Sequence, residues 1–461
     1  MLSADKTHLL QSFLSGLPSD SATRLVRAVE IDRLMEGKGL PHEMILEGLR
    51  PALRRDHAER TPTPLRTFCR PFEDLLNSES RTAKQKAVVA RSSVVPVWMW
   101  LSRTLAPKET ASYATDIKAL VVARKLDEAL ERAGQFWAFA GGAIRQALTQ
   151  DVSRKEARLA LGGELVLADA EDMALLLSSA PQVLRVQTIL PRPVPHLNED
   201  LLWQLREVYD ELAASQPDVA PYVAVVAMRR LARPWEALKL PLQIARRTQD
   251  TLISKTDMGL VGEILLAHMD SLQSAILKVR HPLPGVEILL EQVCSFAELS
   301  SAIVKEIEIR RDGEWGKRLM KERATIGNVM DGLMDRAPKE LAAALPLQKS
   351  NGPKQADFTK PGDAEKQAVA LRYVKLVTGC RNFAAAASCA AKQKTNAEEL
   401  GNYLKRHNED LVKELRGADP KRRAVAESQL ELCIELTSLL FSAEEGELLR
   451  RRARAAQSAA A

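Results

Sequence analysis

Apolar residues recur at helical spacing along almost the whole chain, and Ala and Leu dominate them. The chain has 461 residues, of which 46% are hydrophobic but only 4% are aromatic. Strands are enriched in Val, Ile, Tyr and Phe, whereas Ala and Leu favour closely packed helices. The sequence therefore predicts an all-α protein: an irregular multi-helix stack followed by a C-terminal antiparallel helical bundle.

The length of the chain predicts more than one domain, because a single hydrophobic core stops growing at roughly 250–300 residues. Residues 346–363 contain three prolines, two glycines and several polar residues, a composition typical of a linker. We predict a helical domain over residues 1–345, this linker, and a helical bundle over residues 364–461. Three more prolines predict that residues 190–198 are extended, with Asn198 placed to cap the helix that follows, and the first domain can divide near this stretch.

A solenoid-like arrangement of the helical stack stays open as an alternative. Glu-Ala-Leu occurs within Leu126–Leu130 and again within Pro234–Leu238. Repeat proteins carry one fixed period through the chain, and no such period is found here. An irregular stack is the simpler interpretation.

No spacing of residues matches a catalytic, metal-binding or nucleotide-binding motif. His42 and Glu43 begin like the helix of a zinc protease, but the position of the second histidine is occupied by Leu46. We interpret His407 and Cys433, which lie on apolar helical stripes, as core side chains. The sequence therefore indicates no catalytic residue, no metal ligand and no cofactor.

The chain is expected to be a cytoplasmic protein without a transmembrane segment. Its longest apolar runs, such as Tyr222–Met228, are shorter than the roughly 20 residues that span a bilayer. Met1–Leu10 carries charged residues where a secretory signal needs an apolar segment. The five cysteines are odd in number and widely scattered, as in proteins of a reducing compartment.

One cluster of arginines follows a strongly apolar segment and is a candidate binding surface. It contains Arg229, Arg230 and Arg233, with Arg246 and Arg247 one helix later. Planar guanidinium groups bind phosphate or an acidic protein surface well. The alternative is that these side chains end a helix and lie on a solvated face.

A second basic cluster lies in the last predicted helix and contains Arg450, Arg451, Arg452 and Arg454. A basic terminal helix can bind nucleic acid or an anionic membrane electrostatically. The segment has no aromatic residue on which a base can stack, so sequence-specific recognition is not expected. A solvated helix end is the alternative interpretation.

The densest apolar patch of the chain, Val94–Leu101, contains two tryptophans. Trp98 is expected to pack inward with Leu101, which lies one helical turn away, whereas Trp100 points in another direction. Trp100 is therefore either buried between domains or exposed as an anchor for a partner, since exposed tryptophans concentrate binding energy.

These patterns favour a non-enzymatic helical protein that acts as an interaction, scaffold or regulatory protein and binds another protein. One alternative is an enzyme whose site is assembled only by the fold, which a concave pocket with converging polar groups would support. Another alternative is a nucleic-acid-binding protein that uses basic helical surfaces, which a steep salt dependence of binding would support. The formal net charge of +6 permits anionic partners without indicating one.

Overall fold

The all-α prediction is confirmed by a computed structural model, in which helices make up nearly all of the regular structure. The structure describes residues 10, 13–14, 17–35, 39–56, 61–78, 83–246, 249–279, 281–283, 285–348, 355–417 and 419–459. Contacts between residues divide the chain into two compact units, Met1–Leu240 and Pro241–Ala461.

The first unit is built from helices of very different lengths and one pair of very short strands. The parallel strands β1 and β2 pair Leu76 with Val89 and Asn77 with Ala90. A 3-10 helix, Arg70–Leu75, precedes β1, and another, Pro234–Leu238, follows the nine-residue helix Tyr222–Arg230. The elements are α1 (Ser19–Leu34), α2 (His42–Asp56), α3 (Pro64–Cys69), β1 (Leu76–Asn77), β2 (Val89–Ala90), α4 (Arg91–Trp100), α5 (Pro107–Val122), α6 (Leu126–Thr149), α7 (Asp151–Leu161), α8 (Glu164–Ser178), α9 (Ala180–Ile189), α10 (Glu199–Ser215) and α11 (Tyr222–Arg230).

Helix α12 (Lys239–Ala245) contains the division between the units, and the helices after it form the second unit. These are α13 (Asp250–Ile253), α14 (Gly259–Ile276), α15 (Val286–Glu306), α16 (Glu314–Met334), α17 (Ala337–Ala344), α18 (Ala364–Gly379), α19 (Ala390–Leu415), α20 (Pro420–Leu440) and α21 (Ala443–Ala459).

Aromatic rings pack together in the core of the first unit. Tyr113 of α5 and Phe136 of α6 stack with their centroids 4.0 Å apart, which fixes these two helices against each other. Phe68 lies 5.3 Å from the ring of Trp98 and 5.4 Å from that of Phe72. Five aromatic rings thus lie where four α-helices and a 3-10 helix meet.

The proline-rich stretch 190–198 is not helical and lies inside the first unit, but it bends at several residues and pairs as a strand only at Val194. The N–H of Val194 donates to the carbonyl of Arg230, and the N–H of Ala232 donates to the carbonyl of Val194, both at 2.9 Å. The Asn198 side chain then accepts a backbone hydrogen bond from the first turn of α10, which confirms it as the N-cap. The stretch is therefore held by backbone pairing to the residues that follow α11.

The predicted linker, residues 346–363, lies inside the second unit. The N–H of Asp357 donates to the carbonyl of Pro346 at 2.9 Å, and Phe358 is only 1% exposed. Residues 349–354 lie outside the described residues. Helices α17 and α18, on either side of the stretch, pack against each other. A linker here stays a prediction, and the contacts of the described residues favour the division after residue 240.

Helix α20 runs antiparallel to both of its neighbours, α19 and α21. Glu414 of α19 pairs with Arg422 of α20 near the turn between them, and Asn408 donates to Thr437 further along the same pair.

In the described part of the chain, no helix is both long enough and apolar enough to cross a membrane.

We expect residues 241–461, expressed alone, to unfold in one cooperative transition. Residues 364–461 lack α15–α17, against which α18 and α19 pack, and are expected to melt at a lower temperature or without a sharp transition. Thermal melts followed by far-UV circular dichroism measure this difference. Equal melting temperatures for the two fragments would instead support the division at residues 346–363.

Candidate functional site

Arg230, the central member of the first arginine cluster, points into the first unit. Its Nη1 lies 3.1 and 3.0 Å from the two carboxylate oxygens of Asp74, and its Nε donates to the carbonyl of Leu190 at 2.5 Å. The Asp74 side chain is fully buried and also pairs with Arg192. Arg230 is therefore a structural residue rather than a contact for an anionic partner.

Of the other four arginines of this cluster, two lie in the first unit with Arg230. Arg229 and Arg233 are exposed, and Arg233 lies 3.9 Å from Glu236. Arg246 is exposed but belongs to the second unit, and Arg247 lies outside the described residues.

The two tryptophans of Val94–Leu101 take part in the core. Trp100 is 6% exposed, so its interpretation as an exposed anchor is wrong. Trp98 is half-buried, and its ring contacts those of Phe68 and Tyr113. Helix α4 packs both side chains against neighbouring helices of the same unit, and the burial that was predicted between domains is burial within one unit.

The second arginine cluster lies on the outer face of α21. Arg450 pairs with Glu431 at 3.4 Å and with Glu447. Arg451, Arg452 and Arg454 are exposed, and no ion pair between described residues involves them. The inward face of this helix carries the buried residues Leu449, Ala453 and Ala456, so the helix is packed and presents its arginines to solvent.

A buried polar network joins α8 to the segment before α4. Lys84 Nζ lies 2.7 Å from an oxygen of Asp169 and 2.5 Å from an oxygen of Asp172. Ser93 donates to Asp169 at 2.7 Å, and Tyr222 donates to Asp172 at 2.6 Å. Burial, with Asp172 nearby, raises the pKa of Tyr222, so its hydroxyl keeps its proton. Because each carboxylate is held by several partners, the network fixes the fold and leaves no free base.

A thiol and an imidazole meet between α19 and α20, but neither is activated. Cys433 Sγ lies 3.7 Å from His407 Nδ1, and both side chains are fully buried. Burial lowers the pKa of His407 to about 4, against the opposing effect of Asp410, and burial raises the pKa of Cys433 to about 12. Both groups are neutral near pH 7, which confirms their interpretation as core side chains rather than as a nucleophile and its base.

Four charged residues of α14 and α16 form a cluster that the sequence did not reveal. Arg318 lies 3.2 Å from Glu263 and 3.2 Å from Glu322, and it also pairs with Asp270. The Glu322 side chain is 4% exposed, and its Oε2 has no hydrogen-bond partner among the described residues. Burial and then the hydrogen bond and charge of Asp270 raise the pKa of Glu322 to about 8, although Arg318 opposes this shift. Glu322 is therefore a buried carboxyl group that holds its proton near pH 7.

A cavity of about 540 Å³ lies between α18, α20 and α21. Its wall mixes apolar residues such as Leu371 with charged ones. The charged side chains of the wall are paired, Arg450 with Glu431 and Glu435 with Lys375 at 3.3 Å. The cavity therefore has the size of a ligand pocket but not a set of unpaired polar groups that converge on it. Within the described residues, no group of three or more His, Cys, Asp or Glu side chains can hold a metal ion.

The most exposed tryptophan side chain of the chain lies on α10 and is not among the candidates that the sequence indicates. Trp203 is 57% exposed, whereas the rings around Trp98 are packed together. Its helical neighbours at three, four and seven positions are charged, so the tryptophan lies within a polar helix face. We call this surface the Trp203 face; it consists of Glu199, Asp200, Trp203, Arg206, Glu207 and Asp210.

Comparison of the chain with protein-family models, with curated proteins and with solved structures finds no match.

The raised pKa of Glu322 predicts how pH changes the stability of the protein. Between pH 4.5 and about 8 the unfolded chain ionises Glu322 while the folded protein keeps it protonated, so folding stability falls as pH rises through this range. Glu322→Gln removes this loss, and its melting temperature is expected to exceed that of the wild type by several degrees above this range but not at acid pH.

Melting temperatures measured across this pH range check the prediction, with Glu291→Gln as the control. Glu291 is exposed on the neighbouring helix α15, and its replacement is expected to leave the pH profile unchanged. Parallel profiles for the wild type and Glu322→Gln would contradict the raised pKa.

Proposed function

We propose that this chain is a non-enzymatic interaction protein, with a scaffold or regulatory role in a reducing compartment such as the cytoplasm, and that it binds another protein through the Trp203 face. The exposure of Trp203 is the observation that carries the proposal. An indole offers a large contact area with few rotatable bonds, and residues of this kind dominate the energy of protein interfaces.

The surroundings of Trp203 match those of an interface anchor. The residue is open over 57% of its surface, and charged side chains frame it on both sides along α10. An apolar anchor within a polar rim is the usual arrangement of a non-obligate interface. Helix α10 is itself fixed, because Leu205, Val208 and Leu212 of its opposite face are buried.

The polar clusters give less support to an enzyme. The carboxylates next to Lys84 are fully bonded, and the thiol of Cys433 is protonated and buried. A catalytic site needs a reactive group in reach of substrate, together with a partner that activates it.

One observation favours nucleic acid as a second candidate partner. Arg451, Arg452 and Arg454 lie exposed and without an ion pair among the described residues, on one packed helix. They can bind phosphates electrostatically and without sequence preference.

Affinity capture from native lysate tests the proposal with two variants of the full-length chain. Trp203→Ala is expected to lose a discrete partner that the wild type captures, because truncating an anchor weakens binding strongly. Leu159→Ala, at a side chain 78% exposed on α7, is the matched control and is expected to keep that partner. Both variants are expected to melt like the wild type, since both positions are exposed.

The outcome that would contradict the proposal is a captured set that is the same for the wild type and Trp203→Ala. If nuclease treatment removes the whole captured set, the basic face of α21 becomes the leading surface.

A further inference from the structure

We propose that the partner segment that packs on the Trp203 face is basic, and that one of its arginine or lysine side chains stacks on the exposed indole of Trp203. This inference rests on the proposed function and names the chemistry of the partner. The charges and the ring geometry around Trp203 both support it.

Negative charge dominates this part of the first unit. Two arginines lie among five carboxylates: Arg206 lies 3.5 Å from Asp210, and Arg185 lies 3.1 Å from Glu207. The five carboxylates are those of Glu199, Asp200, Glu207, Asp210 and Glu211.

The two acidic residues at the start of α10 are available to a partner. Glu199 and Asp200 are exposed, and no ion pair between described residues involves either of them. They precede Trp203 by four and three positions, which places them one turn away on the same side of the helix. A cation on the indole therefore has two unpaired carboxylates nearby.

The indole of Trp203 already accepts a guanidinium group within the protein. The Cζ of Arg206 lies 5.7 Å from the centre of the Trp203 ring. This distance is within the range of a cation–π interaction. Arg206 is itself mostly buried, with a side chain 19% exposed, while Trp203 stays 57% exposed. The open part of the ring can accept a second cation, supplied by the partner.

The same charges disfavour an anionic partner at this surface. A phosphate group or an acidic peptide would meet Glu199 and Asp200 at the N-terminus of α10, where their carboxylates already complement the positive end of the helix dipole. Binding of such a partner would bring like charges together, which lowers affinity. The Trp203 face and the basic face of α21 therefore select partners of opposite charge.

Binding of a labelled oligo-arginine peptide to the full-length protein, followed by fluorescence anisotropy, tests the inference. The wild type is expected to bind this peptide and not an oligo-glutamate peptide. Trp203→Ala is expected to weaken binding by about tenfold or more, although it changes no charge. Added salt is expected to weaken binding to the wild type.

A pair of charge variants separates the local carboxylates from the charge of the whole protein. Glu199→Gln with Asp200→Asn is expected to weaken binding and to reduce its dependence on salt. Asp151→Asn with Glu156→Gln removes the same charge from the exposed face of α7 and is expected to leave affinity unchanged. Equal affinity of the two double variants would overturn the inference, as would equal affinity of the wild type and Trp203→Ala.

The inference and the proposed function fail in different ways. If oligo-arginine does not bind, or if oligo-glutamate binds better, the basic partner is wrong; a partner captured by the wild type but lost in Trp203→Ala would then still support the proposed function. If Trp203→Ala behaves like the wild type in both the capture and the peptide experiments, both are wrong.

Discussion

A carboxylate that leaves water must be paired with a cation or with hydrogen-bond donors, because an isolated buried charge costs several kcal/mol. Among the described residues of the first unit, five carboxylates are buried, and each lies within ion-pair distance of an arginine or lysine. They are those of Glu30, Asp74, Asp169, Asp172 and Glu236. Several of the cations come from distant parts of the chain. These ion pairs therefore hold together segments that are far apart in the sequence.

This requirement explains why the arginines near Arg230 were difficult to interpret from the sequence. The sequence shows an apolar run, Tyr222–Met228, followed by arginines, but it does not distinguish Arg229 from Arg230. Arg230 forms an ion pair with Asp74, which is distant in the chain, while Arg229 is exposed. Only the tertiary structure brings Asp74 close, so the sequence alone cannot tell an inward arginine from an outward one.

The sequence predicted features that depend on neighbouring residues better than features that depend on tertiary contacts. Composition predicted the all-α class, and Asn198 was correctly predicted as a helix cap, because both depend on residues that are neighbours in the chain. The exposure of Trp203 could have been predicted in the same way, since four carboxylates at helical spacing flank it and indicate a solvated face. The raised pKa of Glu322 could not be predicted from the sequence, because it depends on residues of two helices that the fold brings together.

The ion pair with Asp74 holds Arg230 inside the first unit, so Arg230 is not part of a binding surface. Chemical denaturation of Arg230→Met and of Arg233→Met tests it most directly, since Arg233 is exposed and close in the chain. The ion pair with Asp74 predicts that Arg230→Met lowers the free energy of unfolding by about 2–3 kcal/mol, while Arg233→Met changes it by less than about 0.5 kcal/mol. Equal stability of the two variants would contradict the account.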